Sequence, residues 1–152
     1  MEMSLMQSLA IGVGYVAVGL AAVGSAIGAG VAGSAAIGAW KKCYQQGKAA
    51  PFLLIAMVGA PLSQTIYAML MMVLSKDKIV ENPQYAVAYI CMGLLGGVAQ
   101  MASAIFQGKC GANGCVSFAE TGKGFANYLI VLGVVETCAI FALVFSFMAM
   151  PA

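Results

Sequence analysis

Charged residues divide the chain into four long segments that are almost free of charge. Residues 3–40, 49–75 and 82–108 contain no charged side chain, and residues 124–152 contain only Glu136. Each segment is long enough to span a membrane, because a helix that crosses the hydrocarbon core needs about 20 apolar residues. Lipid-facing strands are excluded, since their backbone groups would lack hydrogen-bond partners. The pattern predicts an all-α membrane protein with four transmembrane helices and both termini on the same side.

The overall composition agrees with a membrane environment. Hydrophobic residues make up 62% of the chain and charged residues 8%, whereas soluble domains carry about 25% charged residues. The basic residues are all lysine and are spread over the predicted loops. They form no clustered basic face of the kind that binds nucleic acid, so nucleic acid is not an expected partner.

Lysines near the helix ends predict the orientation. Five lysines fall in the connections that follow the first and third helices, and two fall in the connection that follows the second. Because positive residues accumulate on the cytoplasmic side, the first and third connections are expected in the cytoplasm. The five lysines are Lys41, Lys42, Lys48, Lys109 and Lys123. The same two loops are predicted to contain Cys43, Cys110 and Cys115.

The two halves of the chain resemble each other. The Ser-Gln-Thr sequence at 63–65 matches Val-Glu-Thr at 135–137, at an offset of 136 − 64 = 72 residues, and the same offset places 24–28 on 96–100. An internal repeat of this kind indicates two copies of one structural unit. We interpret the chain as two fused helical hairpins, residues 1–78 and residues 79–152. They differ at one central position, which is Gln64 in the first hairpin and Glu136 in the second.

The first helix is rich in glycine, and Gly24 and Gly28 form a GxxxG step. Such a step lets two helix backbones approach closely. Glycine lowers helix propensity by about 1 kcal/mol per residue, so this many glycines need a packing reason. The helix could pack inside its own bundle, or it could line a crowded inner ring where copies of the chain meet. The length of the stripe favours the ring.

Glu136 is the candidate functional residue. It lies 13 residues after Lys123 and 16 before Ala152, near the middle of the fourth span. An unpaired carboxylate at that depth costs about 2.5–3.5 kcal/mol or more, so it must be protonated, paired with a cation or hydrated. A neutral glutamic acid that only hydrogen-bonds inside the bundle is the alternative. It is disfavoured because other polar groups lie at a compatible depth.

Those polar groups lie on the second and third helices. Gln64 is near the middle of its span, and Ser63 and Tyr67 can share one edge of the same helix with it. Pro61 removes a hydrogen bond and can free a carbonyl near residue 57, while Gln100 lies on the third helix. Hard cations prefer oxygen ligands, and one negative charge among neutral oxygens favours Na⁺. Each of these polar residues taken alone could be an ordinary interhelical hydrogen bond.

These residues resemble the duplicated proteolipid of V-type ATPases, which forms the rotor ring. The similarity is sharpest at residues 60–67, 97–100 and 135–137, and is greatest to the bacterial, sodium-translocating branch. The resemblance implies that Na⁺ is bound by a set of residues from the second, third and fourth helices. The implied ligands are Glu136, Gln100, Gln64, Ser63 and the carbonyl of Ala60. Tyr67 and Thr137 are implied to gate or close the site.

The resemblance also implies a mechanism and partners. Copies of the chain would form a homo-oligomeric ring in membrane lipid, packed through Gly24 and Gly28. Glu136 would exchange its ion at a stator membrane subunit of the a/I type, and the cytoplasmic ends would contact central-stalk subunits. Rotation would couple ion transport to ATP hydrolysis or synthesis elsewhere in the complex. The implied location is a prokaryotic cell membrane rather than a eukaryotic vacuole.

Three alternatives remain open. The same rotor protein could carry H⁺, because Glu136 alone could do so by protonation. A small proton-coupled transporter with one buried glutamate is a second possibility, and a tetraspan structural or pore-forming protein is a third. The last of these predicts that Glu136→Gln leaves function intact. Catalysis by the chain itself is not expected, because it has no histidine and no second buried carboxylate.

Overall fold

A computed structural model describes residues 4–151, and all the regular secondary structure in that range is helical. The helices are α1 (Leu5–Gln45), α2 (Leu54–Gly59), α3 (Ser63–Glu81), α4 (Ala86–Thr121) and α5 (Phe125–Met148). Short 3₁₀ turns at Ala60–Leu62 and Pro83–Tyr85 lead into α3 and α4. Four helical segments are long and apolar enough to cross a membrane, namely Leu5–Gln45, Leu54–Glu81, Pro83–Thr121 and Phe125–Met148. The prediction of an all-α membrane protein with four spans is confirmed.

The ends of the helices follow local sequence signals. At the start of α1, the Ser4 hydroxyl accepts from the Gln7 amide, and the Gln7 side chain accepts from the Ser4 amide. This reciprocal pair satisfies two amides at the helix start. The turn between α4 and α5 uses Gly122 and Gly124, whose φ angles are 65° and 82°. Glycine adopts this left-handed conformation without steric cost, so the glycines set the position of the turn.

The predicted cytoplasmic loops are largely wrong. Lys41, Lys42 and Cys43 lie in α1, while Lys109 and Cys110 lie within α4, as does Cys115. The connections that follow the first and third spans are residues 46–53 and 122–124, which contain Lys48 and Lys123 respectively. Charged side chains do not end a helix by themselves, since they can point away from it. The predicted orientation remains a prediction.

Two glycines in the part of α4 that was predicted to be a loop pack against a neighbouring helix. A Cβ atom added at Gly111 would lie 2.7 Å from the Met57 carbonyl oxygen, and one at Gly114 would lie 2.7 Å from the Met57 sulfur. Both glycines are therefore needed for close contact between α4 and α2. This contact explains why the stretch stays helical despite its glycine content.

The predicted interruption at Pro61 is confirmed. The residue lies in the 3₁₀ turn between α2 and α3. Because proline has no amide hydrogen, the carbonyl of Met57 loses its normal partner four residues on. That carbonyl is the one that faces Gly111. The α-helix of the second span is therefore interrupted where α4 approaches it.

The core of the fold is the close packing of α1 against α4. A Cβ at Gly24 would lie 2.5 Å from the Met101 backbone, and one at Gly28 would collide with the Ala104 carbonyl. These contacts lie within one chain, so packing inside the bundle accounts for both glycines without a neighbouring copy. At Gly12, Gly19, Gly30 and Gly38 of α1, an added Cβ atom would contact no other helix within the described residues. Contact pairs advance together along both helices, so α1 and α4 run parallel.

The outer helices α3 and α5 flank this pair. α3 packs on α1 and α4, and α5 packs mainly on α4. α3 ends at Glu81, three residues beyond residue 78. The division of the chain into two duplicated hairpins remains a prediction.

Candidate ion-binding site

Glu136 lies at the centre of α5, and both of its carboxylate oxygens have partners. It is eleven residues after Phe125 and twelve before Met148, the ends of the helix. Its Oε1 accepts a hydrogen bond from the Tyr67 hydroxyl at 2.6 Å, and its Oε2 accepts from Gln107 Nε2 at 3.1 Å. The carboxylate is only partly buried. It is therefore held by α3 and α4 while remaining reachable from outside the bundle.

Gln107 was not identified from the sequence, yet it is central to the site. It is 0% exposed, and its amide group contacts two helices. Its Nε2 donates to Glu136 and also to the Leu132 carbonyl at 3.0 Å, while its Oε1 accepts from Gln64 Nε2 at 2.8 Å. Gln107 thus links the polar centre of the first hairpin to the carboxylate of the second.

The polar residues predicted on the second span lie close together in the structure. Gln64 is 0% exposed and, besides Gln107, donates to the Ser103 hydroxyl at 3.2 Å. The Ser63 hydroxyl lies 3.1 Å from the Ala60 carbonyl oxygen and 3.3 Å from Gln64 Oε1. A hydroxyl donates one hydrogen at a time, so Ser63 satisfies one of these oxygens and leaves the other available.

Gln100 is not among the residues that hydrogen-bond to Glu136. Its Nε2 donates to the carbonyl of Ala139 at 2.9 Å, one turn beyond the carboxylate. Its Oε1 is buried and has no hydrogen-bond partner within the described residues. The glutamine of α4 that contacts the carboxylate is therefore Gln107 and not the expected Gln100.

Three side chains of α4 donate to carbonyl groups of α5 and fix how the two helices face each other. The pairs are Gln100 with Ala139 at 2.9 Å, Ser103 with Val135 at 3.2 Å, and Gln107 with Leu132 at 3.0 Å. All three donors lie on one side of α4, since they are three, four and seven residues apart. This row of bonds points Glu136 toward Gln107 and Tyr67.

Thr137 is not placed in contact with the carboxylate. Its hydroxyl donates to the carbonyl of Val134 in its own helix at 2.7 Å. The expected closing role of Thr137 therefore has no contact to support it, whereas Tyr67 touches Glu136 directly. Of the two residues, only Tyr67 is positioned to cover the carboxylate.

The arrangement gathers one carboxylate and several neutral oxygens. The neutral oxygens are those of Gln107, Gln64, Ser63 and the Ala60 carbonyl. Within the described residues no group of three or more His, Cys, Asp or Glu side chains forms a metal cluster. A carboxylate can take up a proton, and oxygen atoms are the ligands that hard cations prefer.

Comparison with known proteins gives one match. The family model for the C subunit of ATP synthase matches residues 90–149. This range contains most of α4 and α5, with Gln100, Gln107 and Glu136. Members of that family are helical-hairpin rotor proteins that form homo-oligomeric rings and move ions without being enzymes themselves. The match supports a membrane rotor protein of an ATPase and a non-catalytic role for this chain. A search of curated proteins finds no match.

Proposed function

We propose that the chain is a duplicated proteolipid of the V type, which binds Na⁺ at Glu136 and carries it across the membrane. Copies of the chain would form a ring whose rotation is coupled to ATP hydrolysis or synthesis elsewhere in the complex. The observation that carries this proposal is the network around Glu136. Its two oxygens accept from Tyr67 and Gln107, and Gln107 is bonded in turn to Gln64.

The location of Glu136 favours an exchangeable cation over a permanent ion pair. The ion pairs within residues 4–151 are Lys42–Glu120 and Lys78–Glu81, both at exposed positions. Glu136 is therefore not neutralised by a basic side chain in the described part of the chain. A carboxylate at mid-membrane needs a proton or a cation, and its partial exposure gives that ion a route in and out.

The neutral oxygens favour Na⁺ as the ion carried. The proposed ligands are Glu136, Gln107, Gln64, Ser63 and the Ala60 carbonyl, with Gln107 in the place expected for Gln100. One negative charge balances one Na⁺, and the neutral oxygens replace its water. A divalent ion would leave an excess charge in a medium of low dielectric, which is costly.

The surroundings of the site suggest how the ion is kept and released. The Tyr67 hydroxyl lies over one oxygen of Glu136 at 2.6 Å, so it can close the site while the ring turns through lipid. At a stator membrane subunit of the a/I type, a basic group would compete for the carboxylate and release the ion. Central-stalk subunits would transmit the rotation. Each chain would carry one ion, since it has one such carboxylate.

H⁺ is the second candidate, and one observation favours it. Tyr67 and Gln107 already engage both oxygens of Glu136 without any cation between them. Such a carboxyl group could simply be protonated, and the neutral oxygens would then serve only to hold Gln107. The rotor mechanism would be the same with either ion.

Carbodiimide labelling of the purified ring, analysed by peptide mass spectrometry, tests the proposal. The reagent attacks protonated carboxyl groups within the membrane. Labelling confined to Glu136 and suppressed by Na⁺ at constant pH is the result we expect. Labelling that ignores Na⁺ and falls as the pH rises would assign the site to H⁺. If Glu136 is not labelled under any condition, ion coupling itself is contradicted.

A further inference from the structure

A hydrogen bond joins α1 to α3 at the level of the ion-binding site. The Thr65 hydroxyl donates to the Ser25 hydroxyl oxygen at 2.8 Å. Ser25 is 3% exposed, and Thr65 is half-buried. Within residues 4–151 the two helices share no other hydrogen bond. Thr65 directly follows Gln64, so the bond lies beside the polar residues around Glu136 without including any of them.

Ser25 belongs to the most closely packed part of α1. Its neighbour Gly24 is so near to α4 that an added Cβ atom would lie 2.5 Å from the Met101 backbone, and Gly28 is in similarly close contact one turn later. Close packing of this kind opposes rotation or sliding of one helix against the other, because interiors yield little to strain. Ser25 is therefore a fixed point for the helix that bonds to it.

The start of α3 is held less firmly by its own chain. A short 3₁₀ turn separates it from α2, so α3 does not continue the preceding helix. Gln64 of α3 donates to Ser103 and Gln107 of α4, but the proposed function assigns Gln64 and Gln107 to the ion. The bond between Thr65 and Ser25 is therefore a polar contact that can fix α3 whether the ion is bound or not.

Thr65 and Tyr67 lie on opposite sides of α3. Two residues turn a side chain by about 200° around a helix and raise it by about 3 Å. Thr65 therefore fixes α3 to α1 on one side, while the Tyr67 hydroxyl reaches Glu136 of α5 on the other side at 2.6 Å. A rotation of α3 by about 20° would move a group about 6 Å from the helix axis by about 2 Å. That movement is enough to break the bond between Tyr67 and Glu136.

We propose that Ser25 and Thr65 are positioning residues of the ion-binding site. Their bond fixes the rotation of α3 against the α1–α4 pair, so that Tyr67 stays over Glu136 while the ring turns. This role rests on the proposed function, in which Glu136 holds an ion between loading and release. The side chains that hydrogen-bond to Glu136 in the described chain are Tyr67 and Gln107, so the two hydroxyls act on the site through Tyr67.

The rate at which purified rings release bound ²²Na⁺ tests this role. Ser25→Ala and Thr65→Val each remove one hydroxyl of the pair and should speed release by about 3-fold, as expected for one hydrogen bond between membrane helices. Thr65→Ser keeps a hydroxyl and should release Na⁺ at the unmodified rate. Ser75→Ala is the control, because its buried hydroxyl bonds within its own helix, to the Met72 carbonyl at 3.2 Å. Unchanged release from Ser25→Ala and Thr65→Val rings of normal mass overturns the inference.

A second measurement asks whether the pair acts through Tyr67. The Tyr67→Phe background already lacks the hydroxyl that lies over Glu136. In that background Ser25→Ala should change the release rate by less than about 1.5-fold, because the effects of groups that act through one another do not add. A further increase of about 3-fold, as for independent sites, would show that Ser25 does not act through Tyr67 and would overturn the inference.

Carbodiimide labelling of Glu136 separates failure of this role from failure of the proposed function. At constant pH and without Na⁺, labelling should be faster in Ser25→Ala than in the unmodified chain, because Tyr67 covers the carboxyl group for less of the time. Rings that bind no Na⁺ but show this acceleration would contradict the proposed ion and support the positioning role. Equal labelling rates in Ser25→Ala, Thr65→Val and the unmodified chain would contradict the positioning role, whichever ion is carried.

Discussion

Gln64, near the middle of the second span, and Glu136, at the centre of α5, occupy equivalent positions in the repeat seen in the sequence, but they differ in exposure and in partners. Gln64 is fully buried and donates to Ser103 and Gln107, whereas Glu136 is partly exposed and accepts from Tyr67 and Gln107. Gln107 is bonded to both. The first hairpin thus supports the carboxylate of the second and carries no ionisable group of its own at that level.

The first helix of each hairpin, α1 and α4 respectively, shows a similar difference. The repeat offset places Gln100, Ser103 and Gln107 of α4 on Gly28, Val31 and Ala35 of α1. The α4 residues bind carbonyls of α5, and their α1 counterparts cannot, because they have no polar side chain. Gly28 instead allows α4 to approach closely. The α1 positions therefore provide close packing, whereas the α4 positions hydrogen-bond to the helix that carries Glu136.

The largest expected effect comes from making the two centres alike in charge. Glu136→Gln gives both hairpins a glutamine and removes the only charge at the site. Na⁺ binding should weaken by about 100-fold or more, because a charge in a medium of low dielectric attracts a cation strongly. Binding of ²²Na⁺ to purified rings measures this. Normal ring assembly with unchanged ion transport would support the structural protein instead.

A matched pair of glutamines tests which side chain of α4 serves the site. Gln107→Leu should lower the affinity for Na⁺ by about 10-fold or more, because it removes a partner of Glu136 and of Gln64. Gln100→Leu, at the same face and depth of burial, should change the affinity by less than about 3-fold. The Na⁺ concentration that protects against carbodiimide measures both. A larger loss of affinity in Gln100→Leu than in Gln107→Leu would identify Gln100 as the ligand.

A smaller effect is expected at the closing residue. Tyr67→Phe keeps the ring and removes the hydroxyl that donates to Glu136, so the affinity for Na⁺ should fall by about 5-fold, as for one lost hydrogen bond. Exchange of bound ²²Na⁺ should also become faster. Tyr89→Phe is the control, since its hydroxyl bonds to Pro151, far from the site. Equal effects of the two variants would argue against a closing role.

The smallest expected change is in the number of ions when the first hairpin is given a carboxylate. Gln64→Glu should leave the binding at one Na⁺ per chain, because residue 64 already contacts the residues around Glu136 and the matching positions of α1 supply no side-chain oxygen for a second ion. Na⁺-sensitive carbodiimide labelling should stay at Glu136. Labelling and Na⁺ protection at residue 64 as well would show that the two hairpins differ in ion binding only because of the charge at this position.

The sequence predicts the four spans, and it predicts that three polar residues of the second span lie together, for reasons that are local. Long uncharged segments identify the spans, and Ser63, Gln64 and Tyr67 share an edge because helical spacing puts them there. Glu136 stands out as the only charge in its segment. These inferences need no knowledge of how the helices are aligned.

Gln100 was expected as a ligand from the resemblance, whereas Gln107 is the glutamine of α4 that contacts Glu136. The uncharged segments of the sequence end at residue 108 and resume at residue 124, which suggests a connection centred near residue 116. The observed turn is centred near residue 123, which places Glu136 level with about residue 110 and selects Gln107. Both glutamines lie on the same helix face, so periodicity could not distinguish them. The signal was available in Gly122 and Gly124, which end one helix and begin the next.

The central claim is that each chain binds one Na⁺ through Glu136, with ligands from both hairpins. Equilibrium binding of ²²Na⁺ to purified rings, with the amount of chain determined independently, tests it most directly. The account predicts saturation at one Na⁺ per chain, with protons competing as the pH falls. Saturation at two ions per chain, or no saturable Na⁺ binding at any pH, would contradict it.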